Sequence, residues 1–216
     1  MVEIRKGRSE IMNSPYFKFC VGAMGCGKTN KLQGDYYNFM NENGNVIVIK
    51  PLVDSKGDNK IVARNGQVIE TAFLIEDNDN LYIKLANYLL DHIVDFILVD
   101  EAQFLKAHHV EELSNVVDIL GVNVICYGLR TDFRGYLFEG SKRLFEMADP
   151  IEIITKSCSC GNNKIYNMRL ENGIPVLEGE QIAIDGVDAT YESVCRKCYK
   201  RAHKKILTKS QKRVEE

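Results

Sequence analysis

One eight-residue segment near the start of the chain constrains the fold more than any other feature. Gly22–Thr29 reads Gly-Ala-Met-Gly-Cys-Gly-Lys-Thr and fits the pattern G-x-x-x-x-G-K-[ST]. The β-prone run 16–21 precedes it, and helical sequence follows from Lys28 to about Asn41. Glycines let backbone N–H groups converge on phosphate oxygens, and the N-terminal end of the following helix adds positive potential. The segment therefore predicts a strand–loop–helix unit that binds nucleotide phosphates.

Each residue type in this phosphate loop (Gly22–Thr29) suits that chemistry. Lys28 is expected to contact the β- and γ-phosphates, and the Thr29 hydroxyl is expected to bind Mg²⁺. The alternative is an ordinary glycine-rich turn that happens to carry a lysine. The candidate ATP-binding residues of the loop are Gly22, Ala23, Met24, Gly25, Cys26, Gly27, Lys28 and Thr29.

Apolar strands alternate with helical segments after the loop. Strands are expected at 46–49, 96–99, 122–127 and 151–154, and helices at 82–92, 110–120 and 137–147. Gly44 is expected to end the first helix, and Asn65-Gly66 predicts a hairpin turn. This alternation predicts an α/β fold with a mostly parallel sheet flanked by helices.

The composition changes after residue 155, where cysteine, glycine and asparagine become frequent. We therefore expect a loose segment at 1–15, an α/β nucleotide-binding core at 16–155, a zinc-binding loop domain at 156–199 and a charged tail at 200–216.

Two acidic residues follow the buried strand at 96–99. Asp100 is expected beside the phosphate loop, where it would hold Mg²⁺, because ligands of open α/β sheets bind at the carboxyl ends of the strands. Glu101 is the candidate general base, since a hydroxyl acceptor loses its proton when it attacks phosphorus. The alternatives are that Glu101 caps the next loop or activates water.

Four of the seven cysteines form two close pairs, C-x-C and C-x-x-C, with 34 residues between the pairs. Without export we expect reduced thiols or metal ligands rather than disulfides. Two such pairs predict a closed, structural Zn²⁺ site that anchors both ends of residues 161–194. Buried free thiols are the alternative. The expected ligands are Cys158, Cys160, Cys195 and Cys198.

Charge and hydropathy limit the partners. The net charge is −2, whereas sequence-independent DNA binding relies on a strongly positive field. No apolar run approaches about 18 residues, and residues 1–15 lack the apolar region of a signal peptide. We therefore expect a cytoplasmic protein with neither a nucleic acid nor a membrane as its partner.

Four stretches, taken in order, resemble the cytosolic-type thymidine kinase family: Gly22–Thr29, 99–104, 127–135 and 191–199. The resemblance runs from about Phe17 to Tyr199, and the C-x-C pair is similar to the enterobacterial and phage branch. It implies transfer of the γ-phosphate of ATP to the 5′-hydroxyl of thymidine, with deoxyuridine as a second candidate acceptor. It also implies a zinc-held lasso loop and a homotetramer.

Site residues follow from the resemblance, position by position. Glu101 corresponds to the family's proton acceptor, and Asp100, Glu101, Ala102 and Gln103 join the phosphate loop as nucleotide contacts. Thymine would lie against Met24, Leu129 and Phe133. The remaining substrate contacts implied are Phe104, Phe138, Asp54, Tyr191 and the lasso residues Ile182, Ala183, Ile184, Asp185 and Gly186. The alternatives are that Met24, Leu129 and Phe133 are core residues and that Tyr191 packs on the zinc site.

Two positions depart from the family pattern. Lys56 stands where arginine is usual, and a lysine cannot reproduce a bidentate guanidinium contact. The lasso usually reads Ile-Gly-Gly, whereas here Ile184-Asp185-Gly186-Val187 lacks the second glycine and adds an acid. The phosphate loop, Glu101 and the cysteines are unaffected.

Two other classes of function stay open. One is an ATPase that remodels nucleic acid through a zinc ribbon, and the other is a nucleotide-binding protein without turnover. The first should interleave basic and aromatic residues in its zinc segment, but residues 171–190 contain no lysine or arginine. The second has no need of a base such as Glu101.

Overall fold

A computed structural model describes residues 14–52, 60–62, 68–181 and 189–204. The expectations for Asp54, for Asn65-Gly66 and for Ile182–Gly186 lie outside these ranges. The strands are β1 Phe17–Gly22, β2 Val46–Pro51, β3 Lys60–Val62, β4 Val68–Glu70, β5 Phe73–Ile75, β6 Phe96–Val99, β7 Asn123–Leu129, β8 Ile151–Ile154, β9 Tyr166–Glu171, β10 Ile174–Pro175 and β11 Ala189–Val194. The helices are α1 Lys28–Asn41, α2 Leu81–Asp91, α3 Ala107–Leu120 and α4 Glu139–Met147, with a 3-10 helix at Ala102–Phe104.

The main sheet has six strands in the order β5-β2-β6-β7-β1-β8, and every neighbouring pair is parallel. The predicted α/β class is therefore confirmed. The five expected strands are all present, and β5 is an additional edge strand. All the carboxyl ends lie at one edge, which places the segments after β1, β6 and β7 together.

Both faces of the sheet are covered, which explains the continuous apolar runs in its strands. On β7, Val124 and Cys126 pack with α2, α3 and α4, while Ile125 and Tyr127 pack on the opposite face with Leu32 of α1. The hairpin β3–β4 contributes Ile61 and Ile69 to that second face.

The end of α1 differs from the expectation at Gly44. Asn43 takes the left-handed conformation with φ 61°. The Gly44 N–H donates to the Phe39 carbonyl at 2.8 Å, and the Asn43 N–H donates to Met40 at 3.1 Å. These two bonds form a Schellman motif with Asn43 at C′ and Gly44 one residue later. Asparagine tolerates this conformation because its side chain is short and polar.

Three helices begin at other residues than expected: α2 at Leu81 rather than 82, α3 at Ala107 rather than 110, and α4 at Glu139 rather than 137. The helix α3 starts at Ala107 rather than Val110, because polar groups satisfy its first turn: His109 Nδ1 accepts from the Lys106 N–H at 3.3 Å. Glu139, the first residue of α4, accepts from the Ala107 N–H at 2.8 Å.

The cysteine-containing part forms a second, antiparallel sheet in the order β10-β9-β11. Its small core combines Met168 and Val194 with Cys158, Cys195 and Tyr199. Residues 196–204 are helical, so the start of the charged segment expected at 200–216 belongs to a helix. Across the described ranges, no helix combines the length and the hydropathy that a membrane span requires.

Candidate active site

The phosphate loop lies between β1 and α1 as expected. Gly25 and Gly27 have φ of 66° and 103°, which L side chains rarely adopt. The Cys26 N–H donates to the Ala23 carbonyl at 3.3 Å, and Lys28 Nζ donates to the same carbonyl at 3.2 Å. Within the described part of the chain, no hydrogen bond occupies the N–H of Gly25 or Gly27. Both amides are therefore available to an anion.

Gly22 serves the sheet as well as the loop. A Cβ on Gly22 would lie 2.5 Å from the carbonyl oxygen of Ile154, its partner on β8. This position therefore has no room for a side chain.

Lys28 is almost fully buried, with 8% of its surface exposed. Burial lowers its pKa, while the nearby carboxylates of Glu101 and Asp100 act in the opposite direction. The ammonium group therefore lies in a low-dielectric site close to two acids. An anionic ligand at the loop would stabilise its charged form.

Asp100 follows β6 and is also buried, with 7% exposed. Its Oδ1 accepts from the Glu101 N–H at 2.9 Å. Burial, reinforced by the charge of Glu101, raises the pKa of Asp100 to about 7. A cation at this position would favour the ionised form.

Glu101 is held in an unusual conformation. Its φ of 48° is in the left-handed region, which costs a non-glycine residue on the order of 1–3 kcal/mol. Gln103 Nε2 donates to Glu101 Oε2 at 2.5 Å, and Gln103 Oε1 accepts from the Leu129 N–H at 2.9 Å. Gln103 is 2% exposed, so this chain of bonds fixes the Glu101 carboxylate relative to the end of β7.

The 3-10 helix that follows Glu101 packs against α4. Phe104 and Phe138 meet edge to face, with ring centroids 5.6 Å apart and planes at 81°. Gly140 lies so close to this segment that a Cβ there would be 2.6 Å from the carbonyl oxygens of Ala102 and Leu105. The packing leaves Phe104 half-buried and Phe138 buried.

The segment after β7 carries Phe133, which is 1% exposed. The Phe133 carbonyl accepts from the Tyr199 hydroxyl at 2.7 Å. The guanidinium carbons of Arg134 and Arg169 lie 5.8 and 5.4 Å from its ring centroid. Buried Asp132 accepts from Arg134 at 2.7 Å and holds it there.

Three further residues of the expected nucleoside site are described. The side chain of Met24 is exposed at 37%. Leu129 and Tyr191 are half-buried, and Tyr191 lies opposite Arg169 in the β9–β11 pair. Leu129 ends β7.

The four cysteines of the two pairs come together. Their Sγ atoms all lie within 4.8 Å of one another. Tetrahedral Zn²⁺ with Zn–S distances of about 2.3 Å needs sulfurs roughly 3.8 Å apart, so this group fits a zinc site. Hydrogen bonds from Asn162 lower the pKa of Cys160 to about 6, which favours the thiolate that a metal binds.

Several residues near the loop were not expected from the sequence. Asn167 and Ser193, on β9 and β11, hydrogen-bond to the backbone of Met24. Lys50 is buried near the end of β2, and its positive charge acts to lower the pKa of Asp100. Lys50 directly follows the apolar run 46–49, and this position was the sequence signal that could have identified it. Asn167 and Ser193 carry no local pattern.

Comparison with known proteins identifies the family of this chain. The family described as "TK: Thymidine kinase" matches residues 16–199. A thymidine kinase of Haemophilus influenzae is 41% identical over 184 residues, which is 84% of this chain and 94% of that protein. A thymidine kinase of Enterobacteria phage T4 is 40% identical over 191 residues, covering 87% of this chain and 97% of that protein. By both its residues and its relatives, this chain belongs to the thymidine kinase family.

Proposed function

We propose that this protein transfers the γ-phosphate of ATP to the 5′-hydroxyl of thymidine and so makes thymidine monophosphate in pyrimidine deoxynucleotide salvage. Deoxyuridine is the second acceptor to test. One observation carries the proposal: in a chain of this family, the phosphate loop and the Asp100–Glu101 pair meet at one edge of the sheet around buried Lys28.

ATP would bind with its phosphates against the loop. The open N–H groups of Gly25 and Gly27 and the first turn of α1 supply hydrogen-bond donors, and Lys28 supplies positive charge. Thr29 and Asp100 would hold the Mg²⁺ that accompanies ATP, which neutralises charge on the phosphates. Ala102 and Gln103 complete the expected nucleotide contacts.

Glu101 would accept the proton of the 5′-hydroxyl as that oxygen attacks the γ-phosphorus. Proton transfer to a positioned carboxylate contributes about 10²–10⁴-fold to such reactions. The strained backbone of Glu101 and its bond from Gln103 support this role, because strain persists where the surroundings hold a functional group in place.

Thymidine would lie between the loop and the second sheet. Met24 and Leu129 offer apolar contact, and Phe133, Phe104 and Phe138 offer aromatic surface to a flat base. The proposal also assigns Asp54 to the ribose end, Tyr191 to the sugar and the backbone of 182–186 to the base edge. A lasso that closes over the nucleoside would exclude water and favour transfer over hydrolysis.

Zinc bound to the four cysteines would tie β11 and the start of the helical segment 196–204 to the turn at 158–160. The group would be structural, because the protein supplies all four ligands. From the family resemblance we also propose a cytoplasmic homotetramer that binds ATP and thymidine and uses no nucleic acid as a partner.

One assay tests this function directly. Purified protein is mixed with Mg-ATP and thymidine, and the products are separated to look for thymidine monophosphate. Formation of the monophosphate is the expected result. ATP hydrolysis stimulated by DNA without nucleoside product would favour the ATPase, and tight ATP binding without product would favour a binding protein.

A further inference from the structure

The second sheet holds the phosphate loop through hydrogen bonds to one residue, Met24. The Met24 N–H donates to Asn167 Oδ1 at 2.8 Å, and the Met24 carbonyl accepts from the Ser193 hydroxyl. Asn167 and Ser193 lie directly opposite each other in the β9–β11 pair. They are 3% and 8% exposed. A single cross-strand pair therefore satisfies both backbone groups of one loop residue.

The same asparagine also reaches the end of β7. Its Nδ2 donates to the Thr131 carbonyl at 3.1 Å, so the Asn167 amide joins the phosphate loop to the segment that carries Phe133. These two segments flank the nucleoside site of the proposed function. Asn167 uses its acceptor on one and its donor on the other, which fixes their separation.

The hydrogen bonds to Met24 also set the direction of the Gly25 N–H. The peptide unit is planar and trans, so the Met24 carbonyl and the Gly25 N–H point in opposite directions from one plane. The Ser193 hydroxyl holds that carbonyl toward the second sheet. The Gly25 N–H, which no described group occupies, therefore points away from the second sheet.

We infer that Asn167 and Ser193 are positioning residues for the phosphate loop: by holding both backbone groups of Met24, they aim the Gly25 amide at ATP phosphate. This inference rests on the proposed function and adds to it. The cysteine-containing sheet then serves the phosphate donor as well as the nucleoside, since β9 and β11 organise the loop. The sequence distances are 143 and 169 residues, so only the folded chain brings these groups together.

The test compares Ser193→Ala with Ser193→Thr, which keeps the hydroxyl. Each is titrated with a non-hydrolysable ATP analogue and Mg²⁺, without thymidine. We expect Ser193→Ala to weaken binding by about tenfold, equivalent to one hydrogen bond of about 1.4 kcal/mol, and Ser193→Thr to recover most of the loss. The matched control is Ser114→Ala, because the Ser114 hydroxyl donates to the Glu111 carbonyl within α3.

Asn167→Ala gives an independent measurement that needs no ligand. Hydrogen exchange of the loop peptide should become faster than in wild type, while exchange in β6 stays unchanged; Asn38→Ala, on the exposed face of α1, is the control. A structural role alone would lower the unfolding midpoint and leave the analogue affinity of the folded protein intact. That result, or unchanged affinity and exchange in both variants, overturns the inference. Failure of wild type to bind the analogue would instead refute the proposed function.

Discussion

The contact between Gly140 and the segment after Glu101 predicts the effect of one added methyl group. In Gly140→Ala the new Cβ would lie 2.6 Å from the carbonyl oxygens of Ala102 and Leu105 and 3.1 Å from that of Gln103. Contacts below 3.0 Å essentially never occur at real Cβ atoms. The backbone must therefore withdraw by about 0.4 Å or more, because a carbonyl in a short helix cannot rotate away as a side chain can.

This displacement of the backbone would also move Glu101, the proposed base. Gln103 donates to Glu101, so moving the 3-10 helix moves the carboxylate or breaks its hydrogen bond. A misplacement approaching 1 Å costs on the order of 10²-fold in rate, and we expect kcat to fall roughly 10- to 100-fold. Overpacking should also destabilise the fold by about 1–3 kcal/mol. The phosphate loop should keep its contacts with ATP, because the atoms nearest the new Cβ belong to residues 102–105. Any loss of ATP affinity should come from the displaced Ala102 and Gln103.

Steady-state kinetics and urea unfolding measure both effects. Gly34→Ala is the matched control, since it adds the same methyl group to a helix where nothing lies within 4 Å. That variant should keep its kcat and gain about 0.5–1 kcal/mol of stability. If Gly140→Ala keeps a kcat within twofold of wild type, the idea that this packing positions Glu101 is wrong.

Three further predictions concern the same site. Glu101→Gln should lower kcat by about 10²–10⁴-fold while an ATP analogue still binds; a loss below tenfold would reassign Glu101 to positioning. Burial raises the pKa of Asp100 from 3.8 to about 7, so the folded state keeps a proton that the unfolded chain has released between these values. The contribution of Asp100 to stability therefore falls as pH rises from about 4 to 7, and urea unfolding of Asp100→Asn without ligands should show a flatter pH profile; an identical slope would contradict this assignment. Cys195→Ser should lower the bound zinc measured by metal analysis and raise KM for thymidine while the main sheet stays folded; a normal KM would refute the anchoring role.

The strands of the main sheet were predictable where they are long and buried on both faces. The runs at 46–49, 96–99 and 122–127 have no polar interruption beyond Asn123, and the structure contains all three. The strand β5 has only three residues at the edge, too few to distinguish from a chance apolar run. Its place in the sheet depends on pairing with β2, which no local pattern encodes.

The second sheet was not predictable from periodicity. On β9, Asn167 and Arg169 are buried although both are polar. Asn167 bonds to Met24 and Thr131, and Arg169 pairs with Glu171 and lies over the Phe133 ring. A polar residue at an inward position breaks the alternation that identifies a strand. The cysteine spacing did predict that the four thiols meet, because metal ligation requires particular side chains at particular separations.

The first glycine of the phosphate loop is required by a neighbouring strand rather than by contact with a ligand. Gly22 is excluded from carrying a side chain by the Ile154 carbonyl of the edge strand. Tolerance at this position is therefore governed by how far β8 can be displaced. A second substitution that compensates for a larger residue at position 22 should therefore lie at residues 151–154 of the edge strand β8. A change of nucleotide would not relieve this clash.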